Sequence, residues 1–261
     1  MADSTAKSSL TKRVKTTVKP YLPKWFLKLH GKWWLYRWQK ENASKSAEEV
    51  FTRIYERNEW GGVPGEYFSG PGSIDETVSI YVETIKKFIE NKRITQVVDL
   101  GCGDFRIGSQ LLFPGMKYIG VDIVQPLIEH NQMLFGNTDV TFQHLNIVND
   151  ELPHGGLCLI RQVLEHLSNK EIIQILQKIK KYKYAIVTEQ YLPANMQVTP
   201  NKEKPHGPDI RLGYGSAVYL DKPPFNVKNL EILSEVTLQN YAIYKGERLI
   251  TFLIRSESGK I

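Results

Sequence analysis

The stretch Val97-Val98-Asp99-Leu100-Gly101-Cys102-Gly103-Asp104 constrains this chain more than any other. Apolar residues and an acid run straight into a Gly-x-Gly turn. That is the form of a buried parallel strand ending in a ligand-binding loop. Gly101 and Gly103 open positive φ to the turn and let backbone approach a ligand closely. Asp99, at the strand's carboxyl end, can accept hydrogen bonds from a ligand or from loop N–H groups. In an open α/β sheet, ligands bind outside the carboxyl ends of the strands. The plain alternative is a tight turn and nothing more. Tyr118-Ile119-Gly120-Val121-Asp122 weighs against it, as a second strand ending in an acid 23 positions after Asp99. An acid about twenty residues on is what hydrogen-bonds vicinal ribose hydroxyls.

The rest of the chain fits an α/β reading. At 261 residues and 41% hydrophobic content it suits one α/β domain with an appendage. Further strands are expected at 140–142, 157–160 and 184–188, and an antiparallel hairpin over 241–254 around Lys245-Gly246-Glu247. The run Leu157-Cys158-Leu159-Ile160 is continuously apolar, as a strand covered on both faces should be. Helices are expected over 41–60, 107–112 and after Pro126, a residue suited to a first helical turn. Two capping-box patterns, Ser73-Ile74-Asp75-Glu76 and Ser168-Asn169-Lys170-Glu171, mark two more helix starts. The first opens a helix to about Asn91 with Ile74, Val78, Tyr81, Val82, Ile85, Phe88 and Ile89 as its core stripe. Residues 191–226 are rich in Pro and Gly and start at the sheet's active edge, which reads as a lid over an acceptor.

Charge divides the chain. Residues 1–40 hold ten Lys or Arg against one acid, a net of +9, so the remaining 221 residues carry −3 of the chain's +6. The same segment holds Trp25, Trp33, Trp34 and Trp38. It divides the chain into a basic aromatic extension, 1–40, and a domain, 41–261. Residues 1–18 are polar and basic without apolar periodicity, a disordered composition. A helix over 24–40 would place Trp25, Phe26, Leu29, Trp33 and Tyr36 on one face and Lys24, Lys28 and Lys32 in another row. Three readings stand open: contact of residues 20–40 with an anionic membrane surface, a cap packed on the domain, or a stacking surface for nucleic acid. No apolar run approaches the ~20 residues that span a bilayer, and no h-region follows Met1. Cys102 and Cys158 read as reduced thiols. The expected location is cytoplasmic, with the inner face of a membrane as the place a peripheral contact would occur.

On these motifs the chain resembles the class I S-adenosylmethionine-dependent methyltransferases. Asp99-Leu100-Gly101-Cys102-Gly103 resembles their first motif, and Gly120-Val121-Asp122 their second. Phe142-Gln143-His144-Leu145-Asn146 stands at their adenine-contacting segment, and Leu164-Glu165-His166-Leu167 resembles the sequence after their fourth strand. The likeness covers roughly residues 50 to 255. Phe105 stands where a third glycine is frequent, and Asn146 where Asp is commoner. The resemblance implies a Rossmann-like, seven-stranded, mostly parallel sheet with an antiparallel C-terminal hairpin, here with an N-terminal helical extension. It implies S-adenosylmethionine as cofactor, held by Asp99, Gly101, Cys102, Gly103, Asp104, Asp122, Ile123, Asn146, Ile147 and Arg161. Arg161 has two further readings, as a brace for Asp99 or a site for an anionic acceptor. By the same resemblance, Tyr55, Trp60, Tyr67 and Ser69 are acceptor-pocket candidates. The 54–73 segment resembles methyltransferases of bacterial surface-polysaccharide gene clusters. His206, Asp209 and Arg211, in the lid, complete the acceptor set.

Methyl transfer from a sulfonium is an in-line displacement. The protein must align the acceptor and exclude water. A hydroxyl acceptor also needs a base. His166 and Glu189 are the catalytic candidates by position, with a loop-fixing role as the alternative for His166. His206 and Asp209 are two ligands at most, and two ligands make no metal site. Arg161-Gln162-Val163-Leu164 is not the Asn-Pro-Pro-Tyr sequence of amino-methylating families, and no nucleic-acid module is present. The reading is O-methylation of a sugar, glycan or other small-molecule hydroxyl. The alternatives are an RNA or protein methyltransferase, a non-catalytic binding module, and a dinucleotide oxidoreductase. The oligomeric state is not legible.

Overall fold

The computed structural model describes residues 45–239 and 243–255. The basic extension, its helix over 24–40 and the membrane reading of residues 20–40 therefore lie outside the described residues. Among the described residues no helix is long and apolar enough to cross a membrane.

Seven strands form one sheet. They are β1 (Gln96–Leu100), β2 (Lys117–Asp122), β3 (Val140–His144), β4 (Leu157–Arg161), β5 (Tyr184–Tyr191), β6 (Leu230–Thr237) and β7 (Arg248–Arg255). Their order is β3-β2-β1-β4-β5-β7-β6. Neighbours among β1 to β5 pair in parallel, and β7 runs antiparallel to both β5 and β6. This is the expected Rossmann-like sheet. The chain leaves β1 toward one edge and returns at β4 to build the other. Such a reversal opens a crevice at the carboxyl ends of β1 and β4.

The helices follow from periodicity and caps. Helix α1 (Ala47–Glu56) starts at a capping box in which Ser46 accepts from the Glu49 N–H and Glu49 reaches back. It buries Val50, Phe51, Ile54 and Tyr55. Helix α2 (Val78–Lys92) lays Tyr81, Ile85, Phe88 and Ile89 on the sheet. Helix α3 (Gln125–Phe135) carries Pro126 in its first turn. Helix α4 (Asn169–Lys178) has the full capping box expected at Ser168 and Glu171. Four of the five residues of β1 and of β4 are buried, so these strands are covered on both faces.

Three local expectations are corrected. Ser73 does not cap α2. Its hydroxyl donates to the Gly70 carbonyl within a 3₁₀ turn, Pro71–Ser73, and Asp75 accepts from both the N–H and the hydroxyl of Thr77, so the helix begins at Val78. Ile74 is consequently 49% exposed and not core. The helix expected over 107–112 is a single 3₁₀ turn, Gly108–Leu111, since Pro114 keeps the residues before it out of helix. The partner of β7 is β6 rather than a strand within 241–254, so the C-terminal antiparallel pair spans 230–255.

The long segment between β5 and β6 is folded, not loose. Leu212 and Ala217 from it pack with Tyr191, Leu192 and Ile250 into a small core. Asn201 donates to the Tyr219 and Pro223 carbonyls and accepts from the Tyr219 N–H.

Candidate active site

Two adjoining cavities occupy the crevice. The first has about 1110 Å³ of empty space, open solvent at its mouth included, and lies over the ends of β1, β2 and β4. The second has about 690 Å³ and lies toward β5 and the long segment. Trp60, Ser69, Gln162 and His166 line both.

The glycine loop forms the floor of the first cavity. Gly101 and Gly103 have φ of 82° and 54°. A Cβ on Gly101 would run into Val163, and one on Gly103 into Ser69. Asp122, at the end of β2, accepts from the Gly103 N–H at 3.2 Å and the Val124 N–H at 3.1 Å. It thereby ties the loop to β2 and keeps lone pairs for a ligand. Burial pushes its pKa up against those two bonds. Asp99 lies on the cavity wall and accepts from the Tyr118 hydroxyl at 2.5 Å. Burial carries its pKa to about 6, so it is largely ionised at neutral pH. Cys102 lines the cavity with a thiol whose pKa burial and the nearby acids push well up.

Asp104 also lines the cavity, but its carboxylate clasps the preceding loop. It accepts from the Ser69 N–H at 3.1 Å and the Arg106 N–H at 3.2 Å, while its own N–H donates to Ser69 Oγ. Ser69 in turn bonds the Tyr55 hydroxyl at 2.9 Å. Tyr55, Ser69 and Asp104 therefore fasten the segment before α2 over the glycine loop. Ile123, Leu145, Asn146 and Ile147 make the opposite wall. Asn146 Oδ1 accepts from the Val148 N–H, which leaves its second lone pair and its amide N–H groups.

Among the described residues Arg161 is the one arginine or lysine lining either cavity, against Asp99, Asp104 and Asp122 in the first. Its guanidinium stacks 5.1 Å over Tyr81 and donates to Gln162 Oε1 and Thr77. Its Nε is buried without a hydrogen-bond partner. Burial lowers its pKa, but a guanidinium stays charged. Gln162 sits at φ 51°, a strained conformation at the junction of the two cavities.

His166 stands at that junction, 5.2 Å between ring centroids from Trp60 and 6.4 Å from Phe51. Its Nδ1 lies 3.2 Å from the Gly207 carbonyl. A carbonyl only accepts, so Nδ1 carries the proton and Nε2 is the acceptor nitrogen. Burial, then the charge of Lys204, drop its pKa to about 3. The imidazole is neutral throughout the physiological range.

A family described as an O-methyltransferase domain matches residues 68–199, half of the chain. The chain belongs to this O-methyltransferase domain family. The ubiquinone biosynthesis O-methyltransferase of Rickettsia typhi is 26% identical over 118 residues, which are 42% of this chain and 47% of that protein. The match thus spans about half the length of that curated relative. Human N-acetylserotonin methyltransferase, solved with SAM, has a similar fold, with a TM-score of 0.52 at 18% identity over 83% of this chain and 61% of that one. The N-methyltransferase NodS of Bradyrhizobium japonicum WM9, solved with S-adenosylhomocysteine, has a TM-score of 0.50 at 11% identity over 69% and 89%.

Within this O-methyltransferase domain, every cofactor-side residue expected from sequence lines the first cavity. The acceptor-side set divides. Tyr55, Trp60 and Ser69 line the cavities. Tyr67 does not, and packs against the rings of Tyr55 and His130. The three lid residues are corrections. His206 bonds Glu171 at 2.9 Å, Asp209 accepts from the Tyr214 hydroxyl at 2.5 Å, and Arg211 is fully buried, donating to the Leu167 and Lys202 carbonyls. Their polar groups hold the segment together, while its Pro208 and Ile210 reach the second cavity. Glu189 is the fourth correction. It is fully buried, lines neither cavity, and accepts the N–H groups of Leu164 and Glu165. Its carboxyl, pushed up to about 7 by burial, positions the turn that carries His166.

Sequence reading missed Asn131. It is wholly buried on α3 and donates to the Gly103 carbonyl at 2.8 Å. Its signal was a polar residue on the apolar face that Leu127 and Ile128 define. It also missed Gln162, whose strained backbone has no sequence signature. Among the described residues no group of three His, Cys, Asp or Glu is placed to hold a metal ion.

Proposed function

We propose that this protein is an S-adenosylmethionine-dependent O-methyltransferase acting on a hydroxyl of a sugar, glycan or other small molecule. One observation carries the reading. A cavity that the described residues line with three acids and one arginine adjoins a second cavity through a neutral histidine. S-adenosylmethionine has a sulfonium and an ammonium, and carboxylates favour both. A dinucleotide would set its pyrophosphate against the same acids, without the glycine that Phe105 replaces. Family membership and the fold support the reading as well. The sugar acceptor rests on the likeness of the 54–73 segment to enzymes of bacterial surface-polysaccharide clusters.

The residues fit the cofactor. Asp122 takes the ribose hydroxyls in this reading, and Ile123 and Ile147 supply apolar walls for the base. Asp99 suits the ammonium and Arg161 the carboxylate of the methionine end. When bound, the cofactor supplies a methyl group on a cationic sulfur, a leaving group that needs no acid. The protein then has to orient the acceptor and exclude water, for which Trp60, Phe51 and Pro208 supply apolar surface along the two cavities. His166 Nε2 faces the task of taking the hydroxyl proton. A base with a pKa of about 3 is weak, so proton removal runs together with methyl transfer rather than before it.

Calorimetry tests this. S-adenosylhomocysteine is expected to bind at micromolar concentration and NAD not to bind. Asp122→Ala should weaken S-adenosylhomocysteine by tenfold or more, on the order of one lost charged hydrogen bond. NAD binding in its place, or no binding by folded protein, would overturn the proposal.

A further inference from the structure

We propose that the second cavity takes a neutral, polyhydroxylated acceptor, and that Glu165 is the side chain that grips it. This rests on the methyltransferase reading above and adds the chemical class of the acceptor and a specificity residue.

The wall of the second cavity offers amide and carboxyl groups beside one indole: Gln162, Gln190, Asp75, Glu165 and Trp60. Among the described residues no lysine or arginine lines it. A phosphate or carboxylate acceptor would enter without a counter-charge, beside two acids. A flat, apolar acceptor would bury the amides and carboxyls without partners, which costs free energy for each group. A molecule with several hydroxyls matches them, since a hydroxyl both donates and accepts. Trp60 adds an apolar face for the ring of such a molecule.

Most of the polar groups on this wall have partners within the protein. Asp75 accepts from Thr77 twice. Gln190 donates to Glu247 at 2.7 Å, and Gln162 accepts from Arg161 at 2.8 Å. Glu165 is different. It is 3% exposed, and its Oε2 is buried with no hydrogen-bond partner. An orphaned carboxyl oxygen that deep calls for an explanation. A ligand hydroxyl in the cavity supplies one. Burial and the neighbouring Glu189 push the Glu165 carboxyl well above its usual range, which favours the neutral acid. In that form it can donate one hydrogen bond and accept another. Glu165 immediately precedes His166 in one 3₁₀ turn, so a molecule held by the first presents a neighbouring hydroxyl to the second.

The test uses the full-length protein saturated with S-adenosylhomocysteine. Binding of the methyl glycosides of glucose, galactose, mannose and rhamnose is measured by saturation-transfer NMR. Glucose 6-phosphate and catechol serve as anionic and flat comparators. At least one neutral glycoside is expected to bind more tightly than both comparators. Glu165→Leu should weaken it about tenfold, the effect of one buried hydrogen bond. Glu165→Gln should restore most of the affinity, because an amide also donates and accepts. S-adenosylhomocysteine affinity should be unchanged in both variants. If S-adenosylhomocysteine binds but no glycoside does, or a comparator binds more tightly, the acceptor class is wrong. If Glu165→Leu binds glycoside like the parent, Glu165 has no such role. If S-adenosylhomocysteine itself does not bind, the methyltransferase reading fails first.

Discussion

Phe105 shows how one residue can replace a motif position at a known cost. It has φ 61°, where a bulky side chain is rare. The left-handed backbone costs roughly 1–2 kcal/mol. Its ring is 2% exposed and meets Tyr118, Phe135 and Phe142 at centroid distances of 5.2, 5.2 and 4.9 Å. Burying a phenyl ring stabilises by about 1.5–3 kcal/mol, so packing outweighs strain. Both Phe105→Ala and Phe105→Gly should therefore destabilise, the first by about 3–5 kcal/mol. Glycine relieves the strain and alanine does not. Urea denaturation should find the glycine variant more stable than the alanine variant by about 1 kcal/mol, the reverse of the order in a helix. The opposite order would show that the backbone at Phe105 is unstrained.

The segment between β5 and β6 is best understood as an element in its own right. Its polar groups point inward to its own backbone and to the turn after β4. Arg211 is the main tie, since it joins the Leu167 and Lys202 carbonyls from a fully buried position. Gly207 holds the His166 ring, and Pro208 and Ile210 shape the second cavity. Arg211→Met keeps most of the bulk and removes both bonds. Limited proteolysis should then cut within 192–229 much faster than in the parent. S-adenosylhomocysteine affinity should change little, because no residue of 192–229 lines the first cavity. Equal cutting rates would mean that the small core around Leu212 holds the segment without Arg211.

At the scale of the molecule, buried titratable groups give stability two opposed responses to pH. Glu189 has a folded pKa of about 7, above its unfolded value. The folded state therefore binds more protons than the unfolded one, and stability falls as pH rises from about 4.5 to 7. Asp99, pushed to about 6, acts in the same direction. His166 has a folded pKa of about 3, below its unfolded value near 6.5. Its contribution is present in full above pH 6.5 and is lost as pH falls toward 3. Between pH 5 and 6.5 the raised carboxyls outnumber the one lowered imidazole, so stability of the parent falls with rising pH, less steeply than it would without His166. Thermal denaturation of His166→Gln should show a steeper fall across that window than the parent. Glu189→Gln should show a shallower one. If neither variant departs from the parent, these groups are solvated and the burial argument fails.

The sequence by itself determined the parallel part of the sheet, the glycine loop and the acid that ends β2. These depend on local patterns: continuous apolar strands, a Gly-x-Gly turn, and an acid at a fixed spacing. It also placed the capping box at Ser168, which is a contact over three residues. The tertiary structure decided which polar side chains face the cavities. Glu189, His206, Asp209 and Arg211 have the chemistry of site residues, yet each found a partner far along the chain or within its own segment. Conversely Glu165 and Gln162 entered the site, and Asn131 came to brace it, only because folding set them there. A side chain's type is written in the sequence. Whether its hydrogen bonds are spent on the protein or left for a ligand depends on contacts between residues tens of positions apart.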